Sequence, residues 1–250
     1  LALWGIKYIG ITKTYDQFKE DAANGTLPAV SFLDPRYTIL DDGTGNDDHP
    51  HADIREGDKF LYDVFKAVSE GPGWSSTVLI VNFDEWGGFF EHVPPPRAQA
   101  ANNVDTDIVD GKTLLGMRVP VVVASPFSSG NPANPLINSL IFDHTSVLKL
   151  IEWRWGLPRL TPRDASSDVN NLAYALNFDS PQTAVPNLPK PQTPFFVVPC
   201  FLDLLDGLFS SDVARQGAIP QGAVPSTSAK KTAVWGDLRA VAQKNGFTVR

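Results

Sequence analysis

The chain has 250 residues, enough for one large domain or one and a half ordinary ones. Hydrophobic residues make up 42% and charged residues 20%, a balance that supports a packed core and argues against a disordered chain. The net charge of -7, with no block of Lys or Arg, excludes a nucleic-acid track. No apolar run is long enough for a transmembrane segment, and the single cysteine, Cys200, excludes an internal disulfide and a four-cysteine zinc site.

The chain opens Leu1-Ala2-Leu3-Trp4-Gly5, without Met or a leader-like region, and reads as a fragment or a processed form. Tyr15 to Asn24 is predicted as a short helix stopped by Gly25. Pro28 to Leu33 is predicted as a strand ending at Asp34-Pro35. Residues 41 to 53 form a polar, Asp-rich loop. A helix follows, with Phe60, Leu61, Val64, Phe65 and Val68 on one face, ended by Gly71-Pro72.

Thr77 to Phe83 has the near-continuous hydrophobicity of a strand buried on both faces. Residues 97 to 116 read as a long surface excursion. Val119 to Ala124 is another buried strand, with Pro120 suited to its beginning. Asp143 or Thr145 caps a helix carrying Val147, Leu148, Ile151 and Trp155, stopped by Gly156 and Pro158. Pro181 to Pro199 reads as an extended strap, followed by a last helical pattern from Cys200 to Gln216 and a Ser/Ala/Lys-rich tail. Strands alternating with helices predict an α/β sandwich.

Chemistry concentrates where the strand after Thr77 ends in Asp84-Glu85. Two carboxylates at the end of a buried strand need a cation or strong donors, and ligands of open α/β sheets bind outside the carboxyl ends of strands. Gly87 and Gly88 permit close backbone approach and unusual dihedrals there. Trp86, Phe89 and Phe90 either line an apolar entrance or pack, with packing expected for at least one. The four histidines, His49, His51, His92 and His144, all lie near acidic residues, and histidine is both a common proton donor near neutral pH and a common metal ligand. Each has a structural reading beside the chemical one: His144 at a helix cap, His92 anchoring the turn before Pro94-Pro95-Pro96, and His49 and His51 in a solvated loop or a weak calcium site.

Taken together, His49-Pro50-x-x-Asp53, Trp74-x-x-Thr77, Phe83-Asp84-Glu85-x-Gly87-Gly88-Phe89-Phe90-x-His92-Val93-Pro94-Pro95, Gly116-x-Arg118-Val119-Pro120, Ser125-Pro126 and Asp143-His144-Thr145-Ser146-Val147-Leu148-Lys149-x-Ile151-Glu152 resemble the bacterial phosphoesterase family. That family includes the phosphatidylcholine-type phospholipases C and related acid phosphatases. The resemblance covers roughly residues 1 to 180, which would be the C-terminal portion of a catalytic domain; residues 181 to 250 would be a Pro-rich strap and helical extension.

The resemblance implies a three-layer α/β/α sandwich of the alkaline-phosphatase-like type, incomplete in this chain. It implies metal-dependent hydrolysis of phosphate esters, phospholipids among them, and a secreted or periplasmic protein. Asp84 and Glu85 match the family's metal-binding acidic pair, for one divalent ion that could be Ca, Mg, Mn or Zn. His49 matches the histidine expected to contact the phosphoryl group or protonate the leaving group. Asp53 would orient a neighbouring histidine, and His92 and His144 match recurrent catalytic histidines.

Two departures stand out. Glu91 replaces the usual Asp before His92, and the family's N-terminal Glu-Asn dipeptide and upstream Ser or Thr nucleophile have no counterpart. Ser31 and Ser125 do not fall in the nucleophile's motif. Two readings therefore stand side by side: a phosphoesterase, inactive in this fragment if the missing elements are essential, and a non-catalytic remnant that binds a metal or an anion. An α/β-hydrolase is disfavoured by the lack of a Gly-x-Ser-x-Gly elbow, and a sulfatase by the lack of its modified Cys/Ser motif.

Overall fold

The computed structural model describes residues 10–37, 45–50, 52–128, 130–131 and 134–193. His51 and the helical pattern from Cys200 to Gln216 lie outside the described residues, as does the end of the proline-rich strap.

Helix α1, Tyr15–Asn24, begins with a capping box: Thr14 accepts from the Gln17 amide, and the Gln17 side chain accepts from the Thr14 amide. It ends at Gly25, whose φ of 67° is left-handed. Helix α2, Ile54–Ser69, is capped by Asp53 and buries Phe60, Val64 and Val68 along the predicted face. Tyr15, Phe18 and Trp74 meet that face, and with Leu61, Phe65 and Leu79 they make the main core.

Strand β1, Leu79–Asn82, is shorter than the predicted segment and only partly buried. The next strands are β2, Arg97–Gln99, β3, Lys112–Leu114, and β4, Val121–Ala124. Two very short strands follow, β5, Gly130–Asn131, and β6, Asn134–Pro135. All pair antiparallel in two-stranded sheets, β1 with β4, β2 with β3 and β5 with β6. Helix α3, His144–Trp155, and the single turn α4, Pro162–Ala165, complete the regular structure with short 3-10 turns. The chain thus mixes helices with small sheets.

Three expectations are corrected. Pro28 to Leu33 forms no strand, because among the described residues no strand pairs with it; Val30 and Phe32 are exposed while Leu27 and Leu33 lean on the main core. Residues 97 to 116 are a surface excursion only in their middle, where 102–107 and 109–111 are exposed. The segment forms the β2–β3 hairpin, and Ala98, Ala100, Thr113 and Leu115 are buried, Ala98 and Leu115 in a second small core with Val169. β1 and β4 are not buried on both faces: β1 is half-buried, and Val121 and Val122 of β4 are exposed.

The segment after α3 folds back on it. Lys149 is buried and donates to the carbonyls of Ser166 and Val169, and the buried Glu152 pairs with Arg159 at 2.5 Å. A buried charge is tolerated only when paired or well hydrogen-bonded, so these two residues of the Asp143–Glu152 motif serve the fold.

Candidate functional site

An open cleft of about 1700 Å³ runs between α2, β1 and α3, and its wall includes His49, Asp84, Glu85, Arg118 and His144. These residues come from four separate stretches of chain, three of which are set by local arrangements on the cleft wall.

The first is at α2. Gly57 faces the His49 loop, and a Cβ on Gly57 would lie 1.9 Å from Asp48 Oδ1 and 3.0 Å from the Asp47 carbonyl oxygen. Glycine is what lets the loop lie against the helix. The Asp48 carboxyl is pushed up from its ordinary pKa by burial, then by the charges of Asp47 and Asp58. The His49 carbonyl accepts from the Ala52 amide at 2.9 Å, a turn that leads into the α2 cap. His49 Nδ1 lies 2.9 Å from the Pro50 carbonyl oxygen. A carbonyl only accepts, so Nδ1 carries the proton and Nε2 is the nitrogen left for chemistry.

The second is at the end of β1. Asp84 and Glu85 are exposed, and each carboxylate is oriented by a neighbouring amide: Asp84 Oδ1 accepts from the Glu85 amide at 3.1 Å, Glu85 Oε2 from the Gly87 amide at 2.8 Å. Gly87 and Gly88 have φ of 77° and 73°, a left-handed pair that turns the chain at once after the acidic residues. Tyr37, on the same cleft, has its phenol pushed up by burial and by the charges of Asp34 and Asp84. Trp86, Phe89 and Phe90 are all exposed, at 42%, 69% and 75%. The expectation that at least one would pack in the core is corrected; Trp86 and Phe89 line the cleft mouth.

The third is at α3. Asp143 caps the helix, accepting from the Thr145 amide at 2.8 Å, and so places His144 as the first helical residue. His144 Nε2 lies 3.1 Å from the carbonyl oxygen of Phe83, the residue before Asp84. By the same logic Nε2 donates and Nδ1 is the remaining nitrogen.

Two other candidates stand apart. Asp53 binds Arg55 through both carboxylate oxygens, at 2.8 and 2.7 Å, which holds its carboxyl below the usual range; among the described residues no histidine hydrogen-bonds to it. His92 is exposed, 3.5 Å from Glu91 Oε1. Glu91 is instead gripped by Arg118 in a two-pronged pair at 2.8 and 2.9 Å. That guanidinium, with the Val93 amide, holds the Glu91 carboxyl down to about 2. Arg118 and Asp48 were not singled out from the sequence. Arg118 had a signal, the Gly116-x-Arg118-Val119-Pro120 motif. Asp48 had none beyond its place in the Asp-rich loop.

The carboxylates of Asp84 and Glu85 suit a hard divalent ion in kind. They fall short in number: among the described residues no group of three or more His, Cys, Asp or Glu side chains could hold a metal ion.

A family model, that of the phosphoesterase family, matches residues 5–158. The chain belongs to the phosphoesterase family. Among its relatives, phospholipase C B of Mycobacterium tuberculosis is 37% identical over 73% of this chain and 36% of its own length. Non-specific phospholipase C6 of Arabidopsis thaliana is 34% identical over 64% of this chain and 33% of its own. The non-hemolytic phospholipase C of Burkholderia pseudomallei is 33% identical over 70% and 26% respectively. The chain therefore spans about a third of the length of the curated relatives it matches. Among the described residues no helix is long and apolar enough to cross a membrane.

Proposed function

We propose that this phosphoesterase chain contributes one wall of the active site of a hydrolase of phosphate esters, of the phospholipase C kind. The observation that carries the reading is the gathering of His49, the acidic pair, Arg118 and His144 around one cleft. A phosphoryl group presents oxygens to be neutralised and a leaving oxygen to be protonated. In this reading Arg118 faces the phosphate oxygens, held in place by Glu91. His49, once its Nε2 is also protonated, hands that Nε2 proton to the leaving oxygen and keeps the one on Nδ1, and His144 Nδ1 takes one beside the acidic pair. Asp84 and Glu85 are the residues that would hold a divalent ion, which when bound would neutralise charge on the phosphoryl oxygens. The described residues do not supply the rest of its shell, and no attacking group is assigned.

The alkaline-phosphatase-like α/β/α sandwich belongs to the same proposal. Its support is the edges of the β1–β4 pair, open among the described residues, and the exposed Val121 and Val122, surfaces that a larger sheet would cover. A location outside the cytoplasm is proposed on the family resemblance alone.

Hydrolysis of p-nitrophenyl phosphorylcholine and of p-nitrophenyl phosphate, with added divalent ions and then with chelator, tests the reading. Chelator-sensitive turnover that falls at least 100-fold in His49→Ala, on the order expected for a lost general acid, supports it. The shortfall of metal ligands favours a second reading, a non-catalytic domain that binds an anion. Phosphate binding without turnover in a polypeptide of the relatives' full length would establish that reading instead.

A further inference from the structure

We propose that Arg163 and Asp143 are positioning residues for His144, fixing its ring against the strand end that carries Asp84 and Glu85. Neither the sequence motifs nor the cleft wall points to Arg163; it lies on the single turn α4. Its side chain is 12% exposed, and each of its three nitrogens donates a hydrogen bond. Nε donates to the Gln99 carbonyl on β2, Nη2 to Thr113 Oγ1 on β3, and Nη1 to Asp143 Oδ2 at 3.1 Å. Asp143 is equally buried and divides its oxygens. Oδ2 takes Arg163, while Oδ1 takes the amide and the hydroxyl of Thr145, at 2.8 and 2.6 Å. The Asp143 amide donates to Ser146 Oγ at 3.0 Å, closing the capping box.

A helix cap alone needs one carboxylate oxygen. The second oxygen, tied to a guanidinium anchored on two strands, sets where the helix begins in space as well as that it begins. The next residue is His144, whose Nε2 reaches the Phe83 carbonyl. The chain of contacts thus runs from the β2–β3 hairpin through Arg163 and Asp143 to the backbone one residue before the acidic pair. A planar fork meeting three fixed acceptors is a task lysine cannot reproduce.

The inference takes from the proposed function only that His144 belongs to the site. The test reads the His144 ring without substrate, so a failure of the hydrolase reading would leave its outcome intact. In ¹⁵N-labelled protein, long-range ¹H–¹⁵N spectra give the tautomer of each histidine. Wild type is expected to show His144 held as the Nε2–H form. Arg163→Lys and Asp143→Asn, the latter keeping a capping oxygen, are each expected to cut the ratio of Nε2–H to Nδ1–H by about fivefold, the size of one lost hydrogen bond. Lys112→Met is the control. It breaks the Lys112–Asp168 pair on the same hairpin at 3.1 Å and does not touch Asp143, so it should destabilise the fold and leave the ratio unchanged. An unchanged ratio in both folded test variants, or an equal shift in Lys112→Met, would overturn the proposal. Should Arg163→Lys not fold, Asp143→Asn against Lys112→Met decides alone.

Discussion

Glu91 and Arg118 illustrate how much a single pair settles near the cleft. The Glu91 carboxyl is held at about 2, against an ordinary 4.5, chiefly by the Arg118 hydrogen bonds. A depressed carboxylate pKa contributes stability that is fully present above the ordinary value and is lost as pH falls through the folded value. The pair therefore supports the fold at neutral pH and releases it between about 4.5 and 2. Arg118→Met should move the Glu91 midpoint, followed by carboxyl NMR titration, back toward 4.5; a midpoint still near 2 would assign the shift to the Val93 amide instead. At this scale the sequence was informative where chemistry is local. The acidic pair, His49 and His144 could be singled out from their neighbours in the chain. Arg163 could not, because its three partners lie between 20 and 64 residues away, and nothing in an Arg-Asp dipeptide announces them.

Elements with their own punctuation were readable in the same way. α1 and α3 carry a side-chain cap at one end and a left-handed glycine at the other, and the structure places both helices where those signals lie. The apolar stripe of α2 packs as its spacing requires, and Phe60→Ala should cost about 3–5 kcal/mol in denaturant unfolding, the range for an emptied aromatic core site. The strands were harder. β2 and β3 are three residues each, too short to show a period, and the residues before Asp34 look like a strand but lack a partner. Gly57 links an element to the site. Gly57→Ala gains roughly 1 kcal/mol of helix propensity, but its methyl must displace the Asp48 carboxylate and press on the Asp47 carbonyl. The two effects nearly cancel in stability, so Tm should move little while the His49 ring signals shift. A large fall in Tm with His49 unmoved would mean that the loop does not depend on this contact.

For the whole molecule, the sequence motifs led to the phosphoesterase family, and the match over residues 5–158 agrees with them. The architecture was less legible, because strand pairing depends on neighbours that local sequence does not name. The β1–β4 pair is antiparallel, its outer edges are unpaired among the described residues, and Val121 and Val122 are exposed. The proposed site nonetheless draws on the loop before α2, the turn after β1 and the start of α3, which line one cleft. The proposed site requires that those three act on one group. Titrating inorganic phosphate into the chain with magnesium or calcium present, and following the ring signals of His49 and His144 together, tests this most directly. Both rings should shift along a single binding curve and return together when chelator is added. A curve in which one histidine responds while the other stays still would contradict a shared site.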